Sequence, residues 1–135
     1  MRFFLTFILL LNFCCFNSFA QEQTSAIGYY TSGLDHYSKQ NYKEAIEHYS
    51  LAINLNPNFA EAYFQRGCSK HNADDYKGAI TDFTLSIEYN KPRFNLANTY
   101  IQRGLAKMKI GITYCSDFKK AMKLGRLEQF NKYCN

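Results

Sequence analysis

A chain of 135 residues, 47% apolar and 20% charged, holds enough material for one compact domain and hardly for two. Its two prolines exclude proline-rich linkers and collagen-like repeats, and its apolar content excludes a long disordered chain. The formal net charge of +5 is split unevenly, with five Lys/Arg against nine Asp/Glu over residues 21–90 and ten against two over residues 91–135.

The first twenty residues form an address segment. Met1-Arg2 gives a positive start, Phe3 to Phe16 is apolar apart from Thr6 and Asn12, and Ser18-Phe19-Ala20 supplies small residues before polar Gln21-Glu22-Gln23. This pattern predicts a secretory signal peptide cleaved after Ala20, leaving a domain of residues 21–135 that is exported to the periplasm, cell surface or secreted space. Two alternatives stand beside it. A membrane anchor needs roughly 20 apolar residues, more than this stretch offers. Cys14 and Cys15 raise the possibility of acylation, but that processing wants a small residue where bulky Phe13 stands before Cys14.

From about residue 26 the sequence repeats itself. Shifted by 34, Tyr29 meets Tyr63, Gly33 meets Gly67, Ala45-Ile46 meets Ala79-Ile80 and Tyr49 meets Phe83. A third copy follows less evenly. Tyr63 and Gln65-Arg66-Gly67 recur 37 residues on as Tyr100 and Gln102-Arg103-Gly104, while Asp82-Phe83 recurs 35 residues on as Asp117-Phe118. The third unit therefore has a longer entry loop, around Lys91-Pro92-Arg93, and a shorter turn after Gly111.

Within each unit the apolar spacing is helical. Ala45, Ile46, Tyr49, Ala52 and Ile53 step by three and four and make one buried stripe. Asn41 to Glu44 reads as a capping box, Asn58 with Glu61 starts the next helix, and Pro57 stops the one before. Gly33, Gly67 and Gly104 fall inside helices, where glycine costs about 1 kcal/mol against alanine. That cost is accepted where another helix must come close, with Ala45, Ala52 and Ala79 as small partners and Tyr49 and Phe83 filling the space beside them.

The sequence resembles the tetratricopeptide repeat family from residue 26 to about 124. The resemblance rests on Tyr29, Gly33, Ala45, Tyr49, Ala52 and Pro57 in the first unit, and on Tyr63, Gly67, Ala79 and Phe83 in the second. Tyr114 departs from the pattern, standing where alanine is expected, and Pro92 lies one place late. The resemblance implies an all-α fold: about three helical hairpins (26–59, 60–93, 97–124) in a short right-handed superhelix. Arg126 to Cys134, with Leu127, Phe130, Tyr133 and Cys134 on one face, reads as the capping helix such arrays require.

The resemblance also implies a concave groove, lined by the first helix of each hairpin, that binds a peptide or partner helix. Carried over residue by residue, it holds Tyr30, Leu34 and Tyr37, then Phe64 and His71, then Ile101, Leu105 and Met108. Lys and Asn side chains of the kind that grip a terminal carboxylate in the family's chaperone adaptors are nearly absent. An apolar or aromatic segment of an unidentified protein partner fits better. The alternative is that some of these side chains merely pack neighbouring helices. Self-association, groove against groove, is a further outcome.

No catalytic motif is present, and neither a metal site nor a cofactor is expected. His71, Asp74 and Asp75 read as a helix end and the cap of the next helix rather than as a cluster. The basic half, residues 91–135, gives a second functional reading: contact with an anionic lipid surface or glycan, against the plainer role of keeping a helix face solvated. Nucleic acid is disfavoured for an exported chain without aromatic-interleaved basic motifs. Finally, Cys115 at the start of the last repeat helix and Cys134 at the end of an antiparallel capping helix are expected to form a disulfide, leaving Cys68 as a buried thiol. The alternative is that all three stay reduced.

Overall fold

The computed structural model describes residues 25–90 and 95–134, without the side chains of Leu127 and Gln129. The expected leader at 1–20, the expected entry loop at Lys91-Pro92-Arg93 and the side chain of Leu127 lie outside the described residues. Seven helices make up the described part: α1 (Ala26–Ser38), α2 (Tyr42–Leu55), α3 (Ala60–Asn72), α4 (Tyr76–Tyr89), α5 (Leu96–Lys109), α6 (Cys115–Lys123) and α7 (Leu127–Cys134). Each packs mainly on its chain neighbours. In addition α1 touches α3 and α3 touches α5, whereas α2 and α4 make less contact with each other. The first helices of the three hairpins thus form a continuous inner row, and the array curves around it. No strand occurs among the described residues.

Each hairpin closes on one glycine–aromatic contact. A Cβ on Gly33 would stand 2.5 Å from Cε1 of Tyr49, one on Gly67 2.8 Å from Cε1 of Phe83, and one on Gly104 2.9 Å from Cε1 of Phe118. All three rings are fully buried. The glycines are therefore required by the ring that lies on them, and alanines 45, 79 and 121 complete the buried seam. The third hairpin keeps this contact although Tyr114 replaces the alanine. Tyr114 precedes the first turn of α6 and packs edge-on against Phe118, with ring centroids 5.8 Å apart.

The core is a chain of small clusters, two shared between neighbouring hairpins and a third between the last hairpin and α7. Ala52 and Ile53 pack with Ala62 and Tyr63, and Leu85 and Tyr89 close over them. Ala79 and Phe83 meet Ala106, and Ile101, Phe118 and Ala121 are covered by Phe130 and Tyr133 of α7. The terminal helix thus places Phe130, Tyr133 and Cys134 inward and leaves Glu128, Asn131 and Lys132 exposed. The sulfurs of Cys115 and Cys134 come to bonding distance, with Cα atoms 5.7 Å apart.

Two capping expectations are corrected. Asn41 occupies the N-cap position of α2, but its side chain makes no capping hydrogen bond. At α3 the N-cap is Phe59 rather than Asn58, whose own N–H is taken by the Asn56 side chain. Pro57 and the Asn56 turn together set the entry, so the backbone needs no Asn58 cap. Asp75 does cap α4, accepting from the Gly78 N–H at 2.9 Å.

Candidate functional site: the inner groove

Two recesses open along the inner row. The first lies between α1 and α3 and reaches the start of α5. Tyr30, Phe64, Glu61 and Gln65 line it, joined by Ala60, Ser86, Asn90, Asn95 and Thr99, around about 380 Å³ of open space. Tyr30 leans on Phe59 with ring centroids 5.0 Å apart, and Phe64 on Phe83 at 5.9 Å, so both rings are half-buried and held from below. Burial and the nearby Glu61 carboxylate raise the Tyr30 phenol above its ordinary range, against a partly offsetting Gln65 amide. The phenol stays a neutral hydrogen-bonding group at the rim of an apolar hollow.

The second recess is polar and is lined by Tyr37, Cys68, His71, Asn72 and Gln102. Asn72 Nδ2 donates to Tyr37 Oη at 2.9 Å and ties α3 to α1. Burial, aided by the Lys109 charge and opposed by Asp74, pulls the His71 imidazole below its ordinary value, so it is neutral near pH 7. Burial alone pushes the Cys68 thiol up to about 12, which makes it an inert, weakly polar wall rather than a nucleophile. Tyr30 and Tyr37, like Phe64 and His71, lie seven residues apart. Two helical turns, about 10 Å, therefore separate the apolar recess from the polar one.

The expected site residues divide accordingly. Tyr30 with Phe64 and Tyr37 with His71 are brought together in pairs, while Leu34 and Met108 are half-buried and line neither recess. Leu105 packs against the third core cluster. Ile101 is corrected from groove to core: it is 7% exposed and lies against Phe118 and Ala121. It is the counterpart of Phe64, whose longer ring extends past its own core neighbour, whereas the short branched isoleucine stops at Phe118. Among the residues that sequence reasoning missed, Ala60 and Asn72 lie on α3, and Ser86, Asn90, Asn95 and Thr99 come from the end of α4 and the start of α5. Asn95 has a left-handed backbone at φ 56°, a conformation that asparagine tolerates, and this is the one signal an Asn at a helix entry could have offered.

Behind the groove the hairpins are locked by charge. Asp82, 1% exposed, accepts two hydrogen bonds from the Arg66 guanidinium at 2.9 and 2.8 Å and pairs with Lys70 at 2.8 Å. Arg66 also reaches back to Ser50 of the preceding hairpin at 3.0 Å. The third hairpin repeats the device: Asp117 holds Arg103 and Lys107, and Arg103 reaches back to Thr84. In the first hairpin the equivalent positions are Ser32, His36 and His48. The two imidazoles stack with centroids 4.8 Å apart, and both Nδ1 atoms are buried without a hydrogen-bond partner.

Three curved helical hairpins, each closed by a ring on a glycine and presenting a lined inner row, define a helical-repeat scaffold. Residues 33–72 match the family model described as TPR repeat, and residues 60–93 that described as tetratricopeptide repeat. Between them the two matches span residues 33–93 of this chain. Among solved structures it is similar to two of MamA. They are 31% and 30% identical with TM-scores of 0.69 and 0.68 over 82% and 84% of this chain. The chain spans only 63% and 61% of those MamA chains. It shares the fold, at 18% identity and TM-score 0.64, with the first TPR of Spaghetti (RPAP3) bound to the HSP90 peptide SRMEEVD, covering 82% of each chain. No curated protein sequence matches it.

Proposed function

We propose that this chain is a non-catalytic protein-interaction module of the cell envelope or secreted space, holding a peptide or helix of a partner protein in the inner groove. The observation that carries the reading is the pair of recesses on the inner row, one apolar around Tyr30 and Phe64 and one polar around Tyr37 and His71. Rings held in place from below lose little side-chain freedom on binding, so apolar contact there adds to affinity without a large ordering cost. The use of the same fold by Spaghetti to hold a peptide supports the reading at the level of architecture. Export rests on the leader pattern of residues 1–20, with cleavage near Ala20.

Affinity capture from envelope extract, with mass-spectrometric identification of what is retained, tests the proposal. Capture should survive about 0.5 M salt, where exposed charges are screened within a few ångström. It should be lost in Tyr30→Ala or Phe64→Ala. A retained partner that binds both variants as well as the parent chain would remove the groove from consideration.

A further inference from the structure

Apart from Lys109 and Lys132, the described cations of residues 91–135 fall into two sets. Arg103 and Lys107 are spent internally, both closing on Asp117 at 2.7 Å. Lys119, Lys120 and Lys123 face the other way. At 100° per residue they occupy one sector of α6 about 100° wide. The opposite sector carries Phe118 and Ala121, which are fully buried against Ile101. Arg126 follows, exposed, after the α6–α7 turn. Among the described residues no carboxylate lies within ion-pair distance of any of these four cations. Lys120 Nζ rests 5.3 Å from the centroid of the Tyr100 ring, a cation–π contact that engages its ammonium without neutralising its charge. Leu124, 41% exposed, stands at the end of the same helix.

We propose that this outer face of α6 is a docking surface for an anionic lipid bilayer, independent of the groove. Charge complementarity is the first argument: four unpaired cations sit where Glu128 is the only acid after Asp117. The choice of lipid over an acidic protein segment rests on the form of the face. Three of the four cations are lysines, point charges on flexible stems that do not demand the fixed fork geometry with which arginine grips a single carboxylate. The two recesses described above lie on the inner row, so the cations stand on an outward face rather than around a hollow. An exposed leucine beside the cations suits the boundary between headgroups and acyl chains.

Co-sedimentation of the chain without its leader, residues 21–135, with vesicles tests this, using about one-third phosphatidylglycerol in phosphatidylcholine against phosphatidylcholine alone. Binding is expected to the anionic vesicles only, and to weaken as salt rises through about 0.15 M. Each lysine near an anionic surface contributes roughly fivefold, so Lys119→Gln/Lys120→Gln/Lys123→Gln should lower the partition coefficient about a hundredfold. These side chains are exposed, so circular dichroism of the variant should match the parent. Tyr30→Ala should bind vesicles unchanged. The proposal is overturned if anionic vesicles fail to bind at low salt, if the triple variant binds like the parent, or if soluble polyglutamate is retained and vesicles are not.

Discussion

Replacing Asp82 by alanine removes the single anion from between two cations. Asp82 is 1% exposed, whereas the Arg66 and Lys70 side chains keep 17% and 20% of their surface. Breaking a buried ion pair by deleting one partner costs about 3–5 kcal/mol, because the other charge is left without compensation. Here both cations retain some hydration, which places the loss near the lower bound, about 3 kcal/mol. For a domain of this size a loss of that order lowers Tm by about 15 °C. Urea unfolding of the full chain, followed by circular dichroism, measures it directly. The apolar replacement Arg66→Met/Lys70→Met/Asp82→Leu is the control: it deletes all three charges, fills the space, and should recover most of the loss. A loss under about 1 kcal/mol for Asp82→Ala would mean the cluster behaves as an ordinary surface ion pair, and the argument from its burial would fail.

Three further outcomes follow from the packing. Tyr49→Phe should raise stability by about 1 kcal/mol, because the Tyr49 hydroxyl is buried without a partner and the equivalent rings of the other hairpins are phenylalanines 83 and 118; a loss on thermal unfolding would contradict this. At Asp117 burial pushes the carboxyl up, but Arg103 and Lys107 pull it further down, and the balance lies below the ordinary value. A folded value below the unfolded one stabilises the fold above the ordinary carboxylate range near pH 4, and that contribution is lost as pH falls through the folded value, so Asp117→Asn should flatten the acid side of a stability–pH curve. Closing the loop between Cys115 and Cys134 should contribute about 3 kcal/mol under oxidising conditions, read as the difference between the parent and Cys115→Ser/Cys134→Ser, with peptide mapping to show that, of Cys68, Cys115 and Cys134, Cys68 alone is alkylated without reduction.

Much of the architecture was legible because its determinants are local or periodic. Gly33 and Tyr49 lie 16 residues apart, as do Gly67 and Phe83, and a helix–turn–helix of that length can bring them together in only a few ways. The recurrence of Gln-Arg-Gly and Asp-Phe was also visible, but its meaning was not. That Arg66 grips Asp82 depends on the rotation of α3 against α4, which no spacing within one helix reveals. The groove was partly legible for the same reason. Phe64 and Ile101 share a sequence position, yet side-chain length decides which one emerges into the groove. The capping box at Asn41 failed because a side chain of the right type can sit at an N-cap without turning toward the backbone.

The back-reaching arginines give the array a polarity. Arg66 ties the second hairpin to Ser50 of the first, and Arg103 ties the third to Thr84 of the second, so each unit holds the one before it. The first hairpin has no such device of its own: Ser32 stands where arginine would, and the stacked His36–His48 pair stands where the lysine and aspartate would. In a stack whose stability is a sum over neighbours, the unit with the weakest internal lock opens first. Amide hydrogen exchange should therefore be fastest in α1 and slow toward the hairpins held by Asp82 and Asp117. Installing the missing ion pair, His36→Lys/His48→Asp, should slow exchange in α1 while leaving α5 and α6 unchanged.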